Sequence, residues 1–316
     1  MEFRKLGTSD LSISTVGFGC WAMGKTWWGD DVVDDDSVAA VNLALELGIN
    51  FYDTAQAYGC GHSERVLARG LKGAPRDKVI IATKTGLNWD ESEHIFNDST
   101  PEYILRSCDD SLERLETDYL DLLQIHWPDP KVPIADSAAA MKELHDSGKI
   151  RAVGVSNYSP AQMTEFMEVC PLHSLQPPYS LLTRGIEAEI LPFCREHNIG
   201  VLAYSPMARG LLTGRYDETA TFPATDGRHG DGLWQGERLA RNVAAVRELT
   251  KIAQAAGHTM AHLALAWVIS QPGMTCALAG AKRPYQIEET AAASGWILDP
   301  ATLAEIEQII KDTGAG

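Results

Sequence analysis

Asn50-Phe51-Tyr52-Asp53-Thr54-Ala55-Gln56-Ala57-Tyr58-Gly59-Cys60-Gly61-His62-Ser63-Glu64 is the stretch on which the reading of the chain turns. Apolar and aromatic residues run into Asp53, a turn of small residues leads to Tyr58, and two glycines precede a helical pattern that opens at His62. That order is a strand end, a loop and a helix start. An acid at the carboxyl end of a buried strand, with a phenol in the loop beyond it, is costly to place by accident, and chemistry is the reading it favours.

Outward from this unit the same alternation repeats. Strand patterns fall at 15–19, 49–53, 79–84, 119–126, 150–156, 173–176, 199–204 and 275–279. Helical patterns lie between them at 37–47, 63–71, 101–115, 134–147, 160–169, 186–197, 239–256 with 261–270, and 284–294. Strand and helix alternating eight times predicts an α/β fold, a (β/α)8 TIM barrel. Ahead of it, 3–6 and 11–14 flank Gly7-Thr8-Ser9-Asp10 and predict an N-terminal β-hairpin. The alternative is a doubly wound open sheet, but its glycine fingerprint is missing: Gly59-x-Gly61 is followed by Glu64 where the third glycine belongs. The long connections, 20–36, 85–100 and 205–238, all fall at the C-terminal face of such a barrel, where barrel enzymes carry their sites. No linker or composition shift divides the chain, so residues 1–316 are expected to form one domain.

The composition narrows the function classes. Hydrophobic residues make up 45% and charged residues 22% of 316, an ordinary globular balance. A net charge of −16 without a Lys/Arg cluster argues against nucleic acid or an anionic membrane as partner. Cys20, Cys60, Cys108, Cys170, Cys194 and Cys276 form no Cys-x-x-Cys pair, so they are expected to be reduced thiols rather than zinc ligands or a disulfide framework. The amino terminus has no apolar signal core, and no stretch approaches the ~20 apolar residues of a membrane span. A cytoplasmic protein is the expectation, and its oligomeric state is left open.

Gly19-Cys-Trp-Ala-Met-Gly24-Lys25-Thr26 matches the phosphate-loop pattern letter for letter. In that loop the Lys and Ser/Thr open a helix whose amides face the phosphates. Here Trp27-Trp28-Gly29-Asp30-Asp31 follows, and no helical pattern starts until Ser37. The better reading is an aromatic loop at a pocket mouth.

Asp53, Lys84 and His126 stand at the ends of different strands, with Tyr58 in the loop after the first. Singly each has a bland explanation: a turn cap for Asp53, strand ends meeting solvent for Lys84 and His126, packing for Tyr58. Together they form a set with a chemistry. A phenol titrates near ~10 in water, and a neighbouring ammonium favours its phenolate. Asp53 would hold Lys84 charged and in place, His126 would orient a bound carbonyl oxygen, and Tyr58 would protonate that oxygen as a hydride reaches the carbon.

The motif Asp53-Thr-Ala-x-x-Tyr58-Gly-x-Gly-x-Ser-Glu64, the Ala82-Thr-Lys84 strand, Ile125-His-Trp-Pro128 and Gly154-Val-Ser-Asn157 together resemble the aldo-keto reductase superfamily, in the expected order along nearly the whole chain. Gln176-Pro-Pro-Tyr179, the 204–214 segment and Gly280-Ala-Lys-Arg283 most resemble a bacterial branch that holds small-aldehyde and polyol-type reductases. The resemblance implies that Asp53, Tyr58, Lys84 and His126 are the catalytic tetrad. It implies that Ser156, Asn157 and Gln176 hydrogen-bond the nicotinamide carboxamide and that Tyr204 stacks on the ring. Ser205, Pro206, Met207 and Gly210 match the loop over the pyrophosphate, and Gly280, Lys282, Gln286, Glu289 and Thr290 match the segment that holds the adenosine and its phosphate. Two positions depart from the pattern: Thr290 stands where the family usually has Asn, and Gly280 where many members have Lys. Reading of a 2′-phosphate then falls to Lys282 and Arg283, and NADPH is the implied cofactor, with NADH possible. Trp21, Trp27, Trp28 and Trp127 would line an apolar substrate pocket, whereas Trp267 and Trp296 read as core.

The function so implied is NADPH-dependent reduction of aldehydes or small sugar-like carbonyls, reversible to alcohol oxidation. A nicotinamide-binding partner subunit with little turnover is the alternative. A metal-dependent barrel hydrolase would need more strand-end ligands than Asp53 and His126 supply.

Overall fold

Side chains along a β-strand point alternately to its two faces, so in a closed barrel every second residue faces the interior. The computed structural model describes residues 1–25 and 32–316, and within them this parity sorts the core into two clusters. The strands in chain order are β1 (Phe3–Lys5), β2 (Ser12–Ser14), β3 (Val16–Gly19), β4 (Phe51–Asp53), β5 (Ile80–Thr85), β6 (Leu87–Trp89), β7 (Ile95–Asn97), β8 (Leu120–Ile125), β9 (Ile150–Ser156), β10 (Ser174–Gln176), β11 (Gly200–Ala203) and β12 (Met274–Gly280). Eight of them, β3, β4, β5, β8, β9, β10, β11 and β12, pair in parallel in that order, and β12 closes against β3. The predicted barrel is therefore present, and the open-sheet alternative is excluded by the closure.

The helices are α1 (Asp34–Glu46), α2 (His62–Leu71), α3 (Pro101–Arg114), α4 (Ile134–Asp146), α5 (Pro160–Met167), α6 (Ile190–Glu196), α7 (Gly236–Ala255), α8 (Met260–Ser270), α9 (Pro284–Ala291) and α10 (Pro300–Thr313). Their starts are written locally. Thr100, Ser159 and Asp299 each accept a backbone N–H of the first turn and stand just before a proline, which costs nothing at the first helical position. Outward-facing strand residues such as Tyr52, Ile81, Leu123 and Val153 form the layer under these helices.

Inward-facing residues fill the barrel in tiers. Phe51, Ala82, Leu122, Ala152, Leu202, Cys276 and Leu278 make an apolar tier, to which the β1–β2 hairpin adds Leu6, Leu11 and Ile13. The hairpin so plugs the N-terminal end. Gly7 lies in its turn at φ 54°, and a Cβ there would stand 2.2 Å from the carbonyl oxygen of His173, so only glycine lets the hairpin seat this closely. One step further toward the C-terminal face along the same parity come Asp53, Lys84, Gln124, Gly154 and Gln176. The apolar tier is the floor beneath these polar side chains.

Three elements differ from the sequence expectation. The 85–100 connection contains the β6–β7 hairpin, whose paired stretches are too short and too mixed in polarity to stand out as strands. α6 begins only at Ile190, because 186–189 form a turn. α10 is absent from the predicted pattern; it packs against α7 and is tied to the barrel body by the Arg184–Glu307 ion pair at 2.6 Å.

Among the described residues no single helix is long and apolar enough to cross a membrane, and all six cysteines are free thiols. The phosphate-loop resemblance dissolves in the structure: Lys25 takes φ 63°, pairs with Asp34 at 3.0 Å, and α1 begins only at Asp34.

Candidate active site

The loop after β4 is held in shape by the motif that marked it. Gly24 and Gly59 meet backbone to backbone: a Cβ on Gly59 would lie 2.5 Å from the Gly24 carbonyl oxygen, and one on Gly24 would lie 2.7 Å from the Tyr58 carbonyl carbon. This contact seats Tyr58 beside the short 3-10 helix Trp21–Gly24. Ser63 donates to the Cys20 carbonyl at 3.0 Å and shares a hydrogen bond with Thr54 at 2.9 Å. Glu64 is fully buried, accepts from Thr83 at 2.7 Å, and pairs with Arg114 of α3. Ser63 and Glu64 are thus fasteners of the loop, which explains their place in the motif.

Asp53, Tyr58, Lys84 and His126 come together as expected. Lys84 is buried, and its Nζ donates to Asp53 Oδ1 at 2.6 Å, to the Thr54 carbonyl at 2.9 Å and to the Tyr58 hydroxyl at 3.4 Å. The His126 ring meets the Tyr58 ring edge-on, centroids 5.7 Å apart. Its backbone N–H donates to the Thr85 carbonyl at 2.9 Å, and its own carbonyl accepts from Asn157 Nδ2 at 3.1 Å.

Burial governs the protonation of this group. It pushes the Tyr58 phenol above its ordinary range; the Lys84 ammonium pulls it back in part, and Asp53 adds to the rise. The sequence reveals the ammonium and not the burial, and the net direction is upward. For Lys84, burial favours the neutral amine, yet Asp53 and Tyr58 outweigh it and hold the ammonium above the lysine range. His126 is driven well below the histidine range by burial and then by Lys84, so it is a neutral imidazole at pH 7. The site therefore presents a protonated phenol, an ammonium and a neutral imidazole to one space.

That space is a cavity of about 760 Å³ at the C-terminal face. Asp53, Tyr58 and His126 reach its wall, while Lys84 stands behind them. Ser156, Asn157, Gln176 and Tyr204 line the adjoining stretch. Asn157, at φ 64°, turns its side chain to accept from the Tyr204 hydroxyl at 3.0 Å and donates to Ser156 Oγ at 2.9 Å. Ser156 Oγ in turn donates to the Gln176 carbonyl at 2.7 Å. Burial and nearby Tyr58 push the Tyr204 phenol up to about 12, so it acts here as an aromatic surface and a neutral donor.

Farther along, Ser205, Pro206, Met207 and Gly210 form one lip and Gly280, Lys282, Arg283 and Gln286 the other. Gln286 Oε1 accepts from the backbone N–H groups of Lys282 at 2.7 Å and Arg283 at 3.1 Å, closing the start of α9. Glu289 and Thr290 are not in the wall: Glu289 pairs with Arg215 at 3.1 Å, and Thr290 spends its hydroxyl on the Gln286 carbonyl at 3.1 Å. Trp21 and Trp127 line the mouth, Trp127 being 44% exposed; Trp27 and Trp28 lie outside the described residues. Trp267 is fully buried, as core residues are.

Two groups escape a reading of the sequence. Arg209, Arg215 and Arg228 bring three more cations to the cavity wall. Arg209 donates to the Gly227 carbonyl at 2.7 Å, and Arg228 lies over the Phe222 ring at 3.9 Å and donates to the Tyr216 hydroxyl at 2.8 Å. A signal exists, since all three fall in the 205–238 connection of an acidic chain, but cations in a loop read as solvated until the loop is folded. The second is Gln124, whose Nε2 donates to Asp53 Oδ2 at 3.2 Å beside that of Gln176 at 2.8 Å. It stands two residues before His126 on the same face of β8, which is a usable signal.

Comparison with known proteins identifies the family. Residues 15–311 match the model of the Aldo/keto reductase family. The chain is 42% identical over 315 residues to aldo-keto reductase YhdN of Bacillus subtilis (strain 168), covering 99% of this chain and 95% of that one. It is 34% identical over 306 residues to the NADH-specific methylglyoxal reductase of Escherichia coli (strain K12), covering 93% of each. The solved structure of the glycerol dehydrogenase AKR11B4 from Gluconobacter oxydans superposes with a TM-score of 0.92 at 41% identity, over 99% of this chain and 96% of that one. The chain therefore belongs to the aldo/keto reductase family, oxidoreductases that act on carbonyl and alcohol groups.

Proposed function

We propose that the protein is an NADPH-dependent carbonyl reductase that reduces aldehydes or small sugar-like carbonyls, and oxidises the corresponding alcohols in reverse, with Tyr58 as the general acid. The observation that carries this is the triple contact of Lys84 Nζ with Asp53, Thr54 and Tyr58 at the edge of a cavity that Tyr58 and His126 both line. A phenol in that setting is protonated at neutral pH and faces the space where a carbonyl oxygen would sit.

The residues fit a dinucleotide. Tyr204 offers an aromatic face next to the amide and hydroxyl groups of Asn157 and Ser156. Cations from both lips of the cavity, among them Arg209, Lys282 and Arg283, suit its phosphates in a chain whose net charge is −16. The reduced nicotinamide, when bound, supplies a hydride to the carbonyl carbon. Everything else falls to this chain. Tyr58 gives its proton to the carbonyl oxygen, Lys84 lowers the cost of the phenolate left behind, and Asp53 keeps Lys84 charged. His126, neutral, helps to orient the oxygen, and Trp21 and Trp127 bound the space where the rest of the substrate lies. In the reverse direction Tyr58 must start as the phenolate.

Relatives named for glycerol and methylglyoxal support a small oxygenated substrate here. One of them is named NADH-specific, so the preference for NADPH rests on Lys282 and Arg283 as readers of the 2′-phosphate. Steady-state oxidation of NADPH and of NADH against a panel of small aldehydes and hydroxyaldehydes tests both parts. The expected outcome is turnover with a higher kcat/KM for NADPH; stoichiometric binding of NADPH without turnover on the whole panel would overturn the enzymatic reading.

A further inference from the structure

Asp53 has two carboxylate oxygens, and proton transfer through Lys84 and Tyr58 uses one. Oδ1 takes the Lys84 ammonium at 2.6 Å. Oδ2 accepts the side-chain amides of Gln176 at 2.8 Å and Gln124 at 3.2 Å, and Gln124 Oε1 in turn accepts from Gln176 Nε2 at 3.4 Å. Gln124 is fully buried in the barrel axis, above the apolar tier of Leu122 and below the cavity reached by His126. It is absent from the cavity wall.

The fold makes room for this side chain. In register beside Gln124 stands Gly154 of β9, where a Cβ would lie 2.9 Å from Gln124 Cγ and 2.4 Å from Ser174 Oγ. A residue larger than glycine would force Gln124 or Ser174 to shift. A buried amide that serves only packing is a poor choice next to leucines and alanines, since a leucine or methionine fills the same volume without a polar group to satisfy.

The geometry points to Gln124 as a positioning residue of the reaction: it clamps the far oxygen of Asp53, so that the near oxygen stays on Lys84 and Lys84 stays on Tyr58. The inference rests on the reading of Tyr58 as the acid. The clamp also joins two halves of the site. From Tyr204 the hydrogen bonds run through Asn157 and Ser156 to the Gln176 backbone, and the Gln176 side chain continues to Asp53 and Gln124. The surface that would receive the nicotinamide and the group that holds the ammonium thus share one residue.

The titratable groups that face this cluster are few. Lys84 and Tyr58 are the partners themselves; His126 comes from the end of β8, Cys20 from beyond β3, Tyr204 from beyond β11 and Cys276 from β12. Burial pushes both thiols up and His126 down. His126 is therefore already neutral throughout the alkaline range, whereas Cys20, Cys276 and Tyr204 share an upward shift with Tyr58 and Lys84.

The test compares Gln124→Met, which keeps the volume and removes the amide, with Gln124→Glu, whose protonated carboxyl can still donate to Asp53. For each, kcat of aldehyde reduction, the pH profile of alcohol oxidation and the dissociation constant of NADPH are measured, with Tyr58→Phe alongside. The expected result for Gln124→Met is a kcat lowered about 10- to 100-fold, the rate equivalent of one hydrogen bond to a charged group. The loss falls on kcat more than on NADPH affinity, and the alkaline limb of oxidation moves to higher pH, because a less firmly held ammonium stabilises the phenolate less. Gln124→Glu should recover activity at acidic pH and lose it as the added carboxyl ionises beside Asp53. A wild-type kcat and profile in Gln124→Met would overturn the inference, and so would a uniform loss with no shift of the limb and no acid rescue. An active Tyr58→Phe would instead remove the reading of Tyr58 itself, which separates the two failures.

Discussion

Two buried carboxylates stand at opposite ends of the same barrel and have opposite meanings. Asp53, at the C-terminal end of β4, accepts from Lys84, Gln124 and Gln176 and reaches the cavity. Asp121, near the N-terminal start of β8, accepts from the Ile81 backbone at 3.0 Å and pairs with Arg76 at 2.7 Å and Arg151 at 2.8 Å. Both are buried and both have cationic partners. The partners make the difference. A guanidinium is effectively always charged and gives up no proton, so the Asp121 cluster serves to fasten β8 to β5 and β9. An ammonium next to a phenol can exchange charge and proton with it, and that end opens on the cavity of about 760 Å³. Burial of a charge marks no site by itself; a titratable partner and an open wall do.

The contrast breaks if a change at the upper end alters stability and not rate. Tyr58→Phe is expected to lower turnover by about 10²–10⁴-fold, the usual worth of a positioned acid, with cofactor affinity and unfolding temperature nearly unchanged. Steady-state kinetics with a fluorescence titration check it. Lys84→Met should cost a comparable share of the rate and also move the pH dependence, with a sign that is fixed. Burial raises the Tyr58 phenol and the ammonium opposes the rise, so without Lys84 the phenolate forms at still higher pH. Alcohol oxidation, which needs the phenolate, then begins at higher pH than in the wild type. An unmoved alkaline limb would reduce Lys84 to a packing role.

At the lower end the expectation reverses. Asp121→Asn should cost about 3 kcal/mol of stability, the low end for breaking a buried pair, because both guanidiniums remain partly in water. Denaturant unfolding measures it, and kcat of the folded fraction should be unchanged. The smallest effect belongs to half-buried cations at the cavity lip. Lys282→Ala with Arg283→Ala should weaken NADPH more than NADH by about 1–3 kcal/mol, as for charged hydrogen bonds at a partly exposed site. Equal losses for the two cofactors in a titration would show that Lys282 and Arg283 do not read the phosphate.

Much of this protein is legible without coordinates. Apolar runs of strand length between amphipathic stretches admit few arrangements, and eight repeats of that unit specify a barrel. Period-two alternation then carries the side chains of Asp53, Lys84, His126, Ser156, Gln176 and Tyr204 to one end of the interior, because each follows an inward residue on its strand or just beyond it. Local signals decide the helix starts too, although Asp299-Pro300 is easily passed over and α10 with it.

Only the tertiary structure decided which of these groups meet and in what charge state. Sequence spacing cannot say that Gln124 and Gln176, far apart along the chain, both turn to one oxygen of Asp53. Nor can it show that Glu289 is held by Arg215, or that Arg209, Arg215 and Arg228 of a long connection face a cavity rather than solvent. The direction of the Tyr58 shift lies beyond it for the same reason. Attraction to a neighbouring lysine can be inferred from two residues, but desolvation depends on every atom that keeps water out, and that is a property of the closed barrel as a whole.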